Sequence, residues 1–248
     1  MSITVCISDA GDDRLWRTLS SLGRQTMVPS QVLIERRGTV AESRNLMFRQ
    51  AKGDILVFLD TDQEAPPWWL EALTWCIRNG IADFTCGPTR GHPEPAFASQ
   101  YQEYFAEIEH RHYKLCELDQ TAFPMGNSAW SRKVMLSLAQ NADYAPFDES
   151  FKHGGEDYDV NIRATKLGYH GLFIPEAWVW HDQSSLNNPL KIMRRKLWYC
   201  YGGAKAQLKN GHLDVRLARR IQVKPYAHWL EAFQKVAQVV GFAAAKLA

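Results

Sequence analysis

Ile55-Leu56-Val57-Phe58-Leu59-Asp60-Thr61-Asp62 is the stretch on which the fold turns. Five apolar residues in succession, bounded by Lys52-Gly53-Asp54 and Pro66-Pro67, have the form of a strand buried on both faces of a parallel sheet. In open α/β sheets, ligands bind beyond the carboxyl ends of the strands. The run therefore carries Asp60 and Asp62 to a ligand-binding edge, where carboxylate oxygens suit Mg2+ or Mn2+ set against a diphosphate. Two aspartates after a strand also occur in ordinary polar loops, so the pair needs support from the rest of the chain.

Outward from this strand, strand-like and helix-like segments alternate. Ile3-Thr4-Val5-Cys6-Ile7 reads as a strand, followed by a helix that Asp12 or Asp13 caps and that carries Leu15, Trp16, Leu19 and Leu22 at helical spacing. Gln31-Val32-Leu33-Ile34-Glu35 is a second strand. Thr39 with Glu42 makes a capping box before a helix that runs to about Ala51. After the central strand, Pro66-Pro67 opens a helix bearing Trp68, Trp69, Leu70 and Leu73, and Ala82-Asp83-Phe84-Thr85-Cys86 is a fourth strand. This βαβαβαβ order predicts a parallel, nucleotide-binding type of sheet with right-handed crossovers.

The pattern then changes. Residues 96–118 read as an aromatic-rich helix with Tyr101, Tyr104, Phe105, Ile108 and Tyr113, and residues 121–131 as a loop followed by a short strand. One helix begins near Arg132; another runs from Glu156 to a stop at Gly168. Residues 171–174 and 177–180 are short strands around Pro175. From Pro189 onward the chain reads as mostly helical, with breaks at Gly202-Gly203 and near Gly211. The organisation expected is a catalytic domain over residues 1–188 and a basic, mostly helical extension over 189–248.

Charge supports that division. The 248 residues carry a net charge of only +2, but residues 189–248 hold 12 Lys and Arg against 2 Asp and Glu, a net of +10. The preceding residues hold 17 against 25, a net of −8. A basic tail after an acidic body suits an anionic partner, or else a solvated helical face. Hydrophobic residues at 46% and charged residues at 23% fit a globular protein, and no stretch approaches the roughly 20 apolar residues of a membrane span. No secretory signal is visible, and five scattered cysteines without a CxxC pair fit reduced thiols, so a cytoplasmic protein is expected.

A second acidic cluster follows two glycines: Gly154-Gly155-Glu156-Asp157-Tyr158-Asp159. Carboxylates in the first turn of a helix complement its dipole, and one at a cleft serves as a general base; the spacing is compatible with both. His181 ends the strand Trp178-Val179-Trp180-His181 and is either a hydrogen-bonded polar residue or an imidazole ligand completing a carboxylate site. His110 and His112, two apart, diverge on a helix and are read as surface or packing residues.

The order of these elements resembles the inverting, nucleotide-sugar-dependent family 2 glycosyltransferases with the GT-A fold. The stretches that carry the resemblance are Ala41-Glu42-Ser43-Arg44-Asn45 with Ala51-Lys52-Gly53-Asp54, then Phe58-Leu59-Asp60-Thr61-Asp62, Gly126-Asn127, Phe147-Asp148-Glu149 and residues 154–159. Arg163, Gly168-Tyr169, Pro175-Glu176-Ala177 and His181 continue it, so that it spans roughly residues 2–200. It implies a Rossmann-like, mixed but mainly parallel sheet flanked by helices, with the helical extension added. It further implies Ser8, Asp9 and Glu35 at the nucleotide, Arg44 over it, Asp60 towards the ribose, and Asp62 with His181 on the cation. Asp157 matches the catalytic base, Glu156 an acceptor-orienting group, and Gly126 and Asn127 the loop bordering sugar and acceptor. The second strand ends Ile34-Glu35-Arg36-Arg37, where the family commonly has paired aspartates; Glu35 at the base and the arginines at phosphate both stay open. Arg194-Arg195-Lys196-Leu197-Trp198-Tyr199 loosely resembles the Arg-Trp element that covers the diphosphate in processive members, which assigns Arg195 to the nucleotide.

The implied activity is transfer of a hexose-type sugar from a nucleoside-diphosphate sugar, UDP-linked ahead of GDP- or dTDP-linked, to a saccharide or polyprenyl-linked saccharide, as in polysaccharide biosynthesis. The implied cofactor is Mn2+ or Mg2+. A nucleotidyltransferase acting on sugar phosphates would want a glycine-rich loop after the first strand, but that region is the acidic Ser8-Asp9-Ala10-Gly11-Asp12-Asp13. A non-catalytic sugar- or nucleic-acid-binding module would use the nine tryptophans and the basic tail; most of the tryptophans fall at core-packing spacing, and no nucleic-acid partner is expected. Trp229, Leu230, Phe233, Val236, Val240 and Leu247 approximate one apolar helical face near Lys235 and Lys246. With Lys191, Arg194, Arg195 and Lys196, such a helix suits peripheral contact with the inner face of a membrane, docking on the catalytic domain, or a homodimer.

Overall fold

The computed structural model describes residues 1–11, 13–102, 116–118, 125–140, 145–211 and 228–247. Strands β1 (Ile3–Ser8), β2 (Gln31–Glu35) and β3 (Ile55–Asp60) alternate with helices α1 (Leu15–Leu22) and α2 (Val40–Gln50). There follow β4 (Gln63–Glu64), α3 (Trp69–Arg78), β5 (Phe84–Cys86), β6 (Thr89–Gly91) and β7 (Cys116–Leu118). The chain continues through β8 (Asn127–Ser131), α4 (Arg132–Gln140), α5 (Glu156–Lys166), β9 (Gly171–Phe173) and β10 (Val179–His181). Two long helices, α6 (Pro189–Lys209) and α7 (His228–Leu247), come last.

A seven-stranded sheet has the order β2-β1-β3-β8-β5-β9-β7, and a small second sheet the order β4-β10-β6. β1 runs parallel to both β2 and β3, as the alternating pattern requires. β5 keeps the direction expected of a fourth parallel strand, but β8 is wedged between β3 and β5 and pairs antiparallel with each. The sheet is therefore mixed. Local alternation sets the direction of a strand; its neighbour is chosen by a partner more than forty residues further along the chain.

The unbroken apolar run of β3 is explained by burial on both faces. Ile55, Val57 and Leu59 pack with Ile3, Val5, Ile7, Trp69, Leu70 and Leu73 on one side of the sheet. Leu56 and Phe58 pack with Cys6, Met47, Trp130, Val134 and Phe147 on the other. Helices thus cover both faces, and the strand ends remain open for a site.

Some expectations hold in detail. The capping box is present: Thr39 Oγ1 accepts from the Glu42 amide at 3.4 Å, and Glu42 Oε2 accepts from the Thr39 amide at 2.6 Å. Others do not. Arg14 occupies the α1 N-cap with no side-chain cap bond, and Trp16 (64% exposed) and Leu19 face outward instead of joining Leu22 in the core. Residues 116–118 form strand β7 against β9, not the end of a helix; Tyr104, Phe105, Ile108, Tyr113, His110 and His112 lie outside the described residues. Trp69 and Trp130 are fully buried, whereas Trp16, Trp68, Trp75 and Trp198 are exposed, so core packing accounts for only part of the tryptophan content.

The largest departure is in the tail. α6 runs without a break through Gly202-Gly203. A Cβ at Gly202 would overlap the Gly154 carbonyl, and one at Gly155 would overlap the backbone of Gly202. These glycines let a helix and a loop touch backbone to backbone. Lys196, expected beside a membrane, is buried between α6 and α7, with Nζ 3.3 Å from Gln234 Oε1; burial lowers its pKa to about 8. On α7, Leu230, Ala237 and Gly241 are the buried positions, while Val236, Val239, Val240 and Leu247 face outward. No helix among the described residues is long and apolar enough to cross a membrane.

Candidate active site

Register assembles the first part of the site. Ser8 at the end of β1 stands opposite both Glu35 of β2 and Asp60 of β3, so three strand ends finish level. The turn after Asp60 is tied down from beneath, with the Thr18 hydroxyl 2.8 Å from the Thr61 carbonyl oxygen and 2.9 Å from that of Gln63. The turn then enters β4, whose antiparallel pairing with β10 sets Gln63 opposite His181. That pairing brings His181 Nε2 to 3.2 Å from Asp62 Oδ1, and the Asp182 amide donates to the Asp62 carbonyl at 2.9 Å. Burial works to raise the Asp62 carboxyl, but His181 and Arg14 outweigh it and hold the group at about 2. Asp60 is moved the other way: desolvation, only partly opposed by Arg44, raises it above its ordinary value.

Arg44 links the two acidic clusters. Its guanidinium, almost fully buried, lies over Phe58 and Phe147 and reaches Glu156 Oε1 at 2.8 Å and Asp60 Oδ1 at 3.4 Å. Gly126 completes this corner, because a Cβ there would overlap the Asp60 carboxylate.

Asp157 arrives by a different route. Gly154 and Gly155 have φ of +96° and +100°, a left-handed path that turns the loop sharply into α5. Asp157 is half-buried in the first turn, next to Glu156. Burial, and then the neighbouring Glu156 charge, push its carboxyl up to about 7. A carboxyl poised near neutrality in a cleft has the property a general base needs.

Ser8, Arg44, Asp60, Asp62, Gly126, Glu156, Asp157, His181 and Arg195 line one cleft of about 1010 Å³. Three other residues singled out in the sequence do not line it. Asn127 is fully buried: its Nδ2 donates to the Pro88 and Ala177 carbonyls at 3.0 and 2.8 Å, and its Oδ1 accepts from Trp69 Nε1 at 2.7 Å. These bonds anchor it in the core, away from the cleft lining. Asp9 is held by Arg36 at 2.6 Å, and Glu35 by Arg37 at 2.7 Å. Hydrogen bonds from Arg37, the strongest influence on Glu35, lower that carboxyl to about 2. The arginines after β2 are thus engaged by these acids at the sheet edge.

Two residues beside the Asp62–His181 pair escaped the sequence reading. Arg14 Nη1 donates to the Asp182 carbonyl at 2.9 Å and lies 3.8 Å from the carboxylates of Asp62 and Asp182, a contact spanning 168 positions that leaves no local signal. Gln183 Nε2 lies 2.6 Å from a ring nitrogen of His181. Trp198 and Tyr199, from the segment that loosely resembles the Arg-Trp element, line the cleft from α6, at the spacing from Lys191 and Arg195 that marks one helical face.

Among the described residues no three His, Cys, Asp or Glu side chains gather as a metal group. The Asp62–His181 pair provides one hard oxygen and one imidazole nitrogen. This donor set fits Mn2+ or Mg2+ if phosphate oxygens and water fill the remaining positions.

The profile of the family described as glycosyl transferase family 2 matches residues 3–137. No curated protein matches the sequence. Among solved structures, the fold is similar to S. aureus TarS, with 13% identity and a TM-score of 0.54 over 99% of this chain and 55% of that one. It is similar to GalNAc-T7 with UDP, GalNAc and Mn2+, with 15% identity and a TM-score of 0.58 over 96% of this chain and 54% of that one. It is also similar to the mannosyltransferase PcManGT from Pyrobaculum calidifontis in complex with GDP-Man and Mn2+: 14% identity, TM-score 0.60, 99% of this chain and 75% of that one. The chain thus spans about half the length of the first two. These similarities show a shared GT-A fold.

Proposed function

We propose a function from one premise: the chain belongs to glycosyl transferase family 2. It transfers a sugar from a nucleoside-diphosphate sugar to a hydroxyl acceptor in a single inverting displacement. The observation that carries this reading is the meeting of two acidic centres in one cleft, Asp60-Asp62-His181 at the strand ends and Glu156-Asp157 at a helix start, bridged by Arg44. The former suits a charged leaving group and the latter suits proton removal. Structures of the same fold hold UDP or GDP-Man with Mn2+, which supports a nucleotide sugar as donor.

In this mechanism Asp157 accepts the proton of the acceptor hydroxyl as its oxygen bonds to the anomeric carbon and the bond to the diphosphate breaks. Glu156, fixed by Arg44, orients the acceptor. Ser8 and Asp60 border the nucleotide, and Arg195 meets the diphosphate. A divalent cation held by Asp62 and His181 would supply positive charge where the leaving group becomes more negative. UDP-sugars are the preferred donors in this reading, and saccharides or polyprenyl-linked saccharides the acceptors. The test is to incubate the protein with UDP-, GDP- and dTDP-sugars and Mn2+ and to measure nucleoside diphosphate release. Release from none of them, with acceptor panels present, overturns the reading.

The tail supports a second element of the proposal, peripheral attachment to an anionic membrane surface. Val236, Val239, Val240 and Leu247 are exposed on α7, with Lys235 and Lys246 exposed near them, in the segment of net charge +10.

A further inference from the structure

Lys191, Arg194 and Arg195 lie at helical spacing on α6, and all three line the cleft. Among the described residues none of them is ion-paired to a carboxylate. Arg195 donates Nε to the Tyr199 hydroxyl at 2.7 Å, and its charge acts on Asp62, which puts it on the cation side of the cleft. Arg194 is arranged differently. Its guanidinium lies 4.4 Å from the centre of the Trp198 ring, and the His153 imidazole stacks on the same indole at 4.8 Å with 14° between the planes. Trp198 thus contacts two nitrogen groups, one from α6 and one from the loop that leads through Gly154-Gly155 to Asp157. Lys191 is a turn away on the same helix face.

Lys191 and Arg194, a turn apart on one helix face, repel one another, and an anion bound there relieves the repulsion. A guanidinium fork flanked by an ammonium and an imidazole matches the several oxygens of a phosphate group. Location decides which phosphate. His153 lies on the loop that leads into α5, four residues before Asp157, and a base must be within hydrogen-bond reach of the acceptor hydroxyl. A group resting on His153 and Arg194 therefore belongs to the acceptor.

We propose that Lys191, together with Arg194 and His153 against the Trp198 ring, forms a subsite for a phosphate group carried by the acceptor close to its reacting hydroxyl. The inference rests on the glycosyltransferase reading above and narrows its acceptor to phosphate-bearing saccharides or polyols. Such a phosphate comes either from a lipid diphosphate linkage or from a phosphodiester oligomer.

Calorimetric titration tests the subsite. Binding of UDP and of GDP with Mn2+ is measured first on the wild-type protein. Three probes are then compared in the presence of the nucleotide that binds: an octyl glycoside diphosphate, a glycerol phosphate trimer and an uncharged octyl glycoside. At least one phosphate probe is expected to bind about tenfold or more tightly than the uncharged one, the equivalent of one charged hydrogen bond. The double substitution Lys191→Gln with Arg194→Gln, at two exposed positions where folding is not at stake, should bring that ratio close to one. Preference for the diphosphate glycoside assigns the phosphate to a lipid linkage, and preference for the trimer assigns it to an oligomer. Equal binding of all three probes, or a preference that persists in the double variant, overturns the subsite while nucleotide binding leaves the glycosyltransferase reading standing. Failure to bind either nucleotide overturns both.

Discussion

On the sheet side of the cleft, Asp62 sits 3.2 Å from His181, and Arg44 spans Glu156 and Asp60. On the helix side, Lys191, Arg194 and Arg195 face the same space without a carboxylate ion-pair partner among the described residues. The first wall is built on strand register and a buried guanidinium, so its charges are balanced and their positions set before any ligand arrives. The second is built on a helix whose two arginines rest on aromatic rings. Preorganised charge suits the reacting end of a substrate, where misplacement is costly. Unbalanced charge on a helix suits recognition of a partner that brings the opposite sign.

The sharpest way to test this contrast is at Asp157, where the two walls meet. Asp157→Asn should lower transfer by about a thousandfold while leaving nucleotide affinity near wild type, as expected when a general base is lost. Near-normal transfer in that variant would remove Asp157 from the role. On the sheet wall, Asp62→Ala should abolish the dependence of nucleotide binding on Mn2+, measured by titration with and without chelator. If Mn2+ still strengthened nucleotide binding to the same degree, the cation would have to be held elsewhere.

Gly202→Ala probes the helix wall without touching a charged group. Its Cβ would overlap the Gly154 carbonyl, so either α6 or the Gly154-Gly155 loop must shift. A cost of about 1–3 kcal/mol is expected from overpacking, read as a lower unfolding midpoint, together with reduced transfer because the loop leads to Asp157. An unchanged midpoint would show that α6 is only loosely laid on the loop.

A pH series separates the two acids. Asp157 is raised to about 7 in the folded protein, so the folded state holds its proton more tightly than the unfolded state does. Its contribution to stability therefore declines as pH rises from the ordinary carboxylate range through about 7, while activity rises over the same upper limb as the base ionises. Asp157→Asn should flatten both profiles and make the protein more stable than wild type above pH 7. Asp62, lowered to about 2, has the opposite sign: its stabilising effect is present above the ordinary carboxylate range and is lost only as pH falls towards 2. The smallest effect concerns α7. Val239→Glu should reduce flotation with anionic liposomes without altering nucleotide binding, and flotation that is absent in the wild type would remove the membrane proposal.

Much of the sheet wall was legible in the chain. The run from Ile55 to Asp62 declares a strand buried on both faces and where it ends, and Thr39 with Glu42 declares the start of the helix that bears Arg44. These are local patterns of hydrophobicity and capping, set by residues a few positions apart. The same reading overextended a helix to residue 118, grouped the buried Asn127 with Gly126 of the cleft lining and broke α6 at Gly202-Gly203. A glycine pair signals a break when only its helix propensity is considered, yet here it is the space that another backbone occupies.

The sequence by itself determined the alternating α/β order, the strand that carries Asp60 and Asp62, and the glycine-led helix that carries Glu156 and Asp157, because each follows from periodicity and turn chemistry within a short window. Only the tertiary structure decided that β8 separates β3 from β5, that β4–β10 pairing presents His181 to Asp62, and that Arg14 reaches both Asp62 and, 168 positions away, Asp182. It likewise decided that the basic tail turns one face into the cleft. Those outcomes depend on which distant surfaces fill each other's space and balance each other's charge, and no local pattern encodes them.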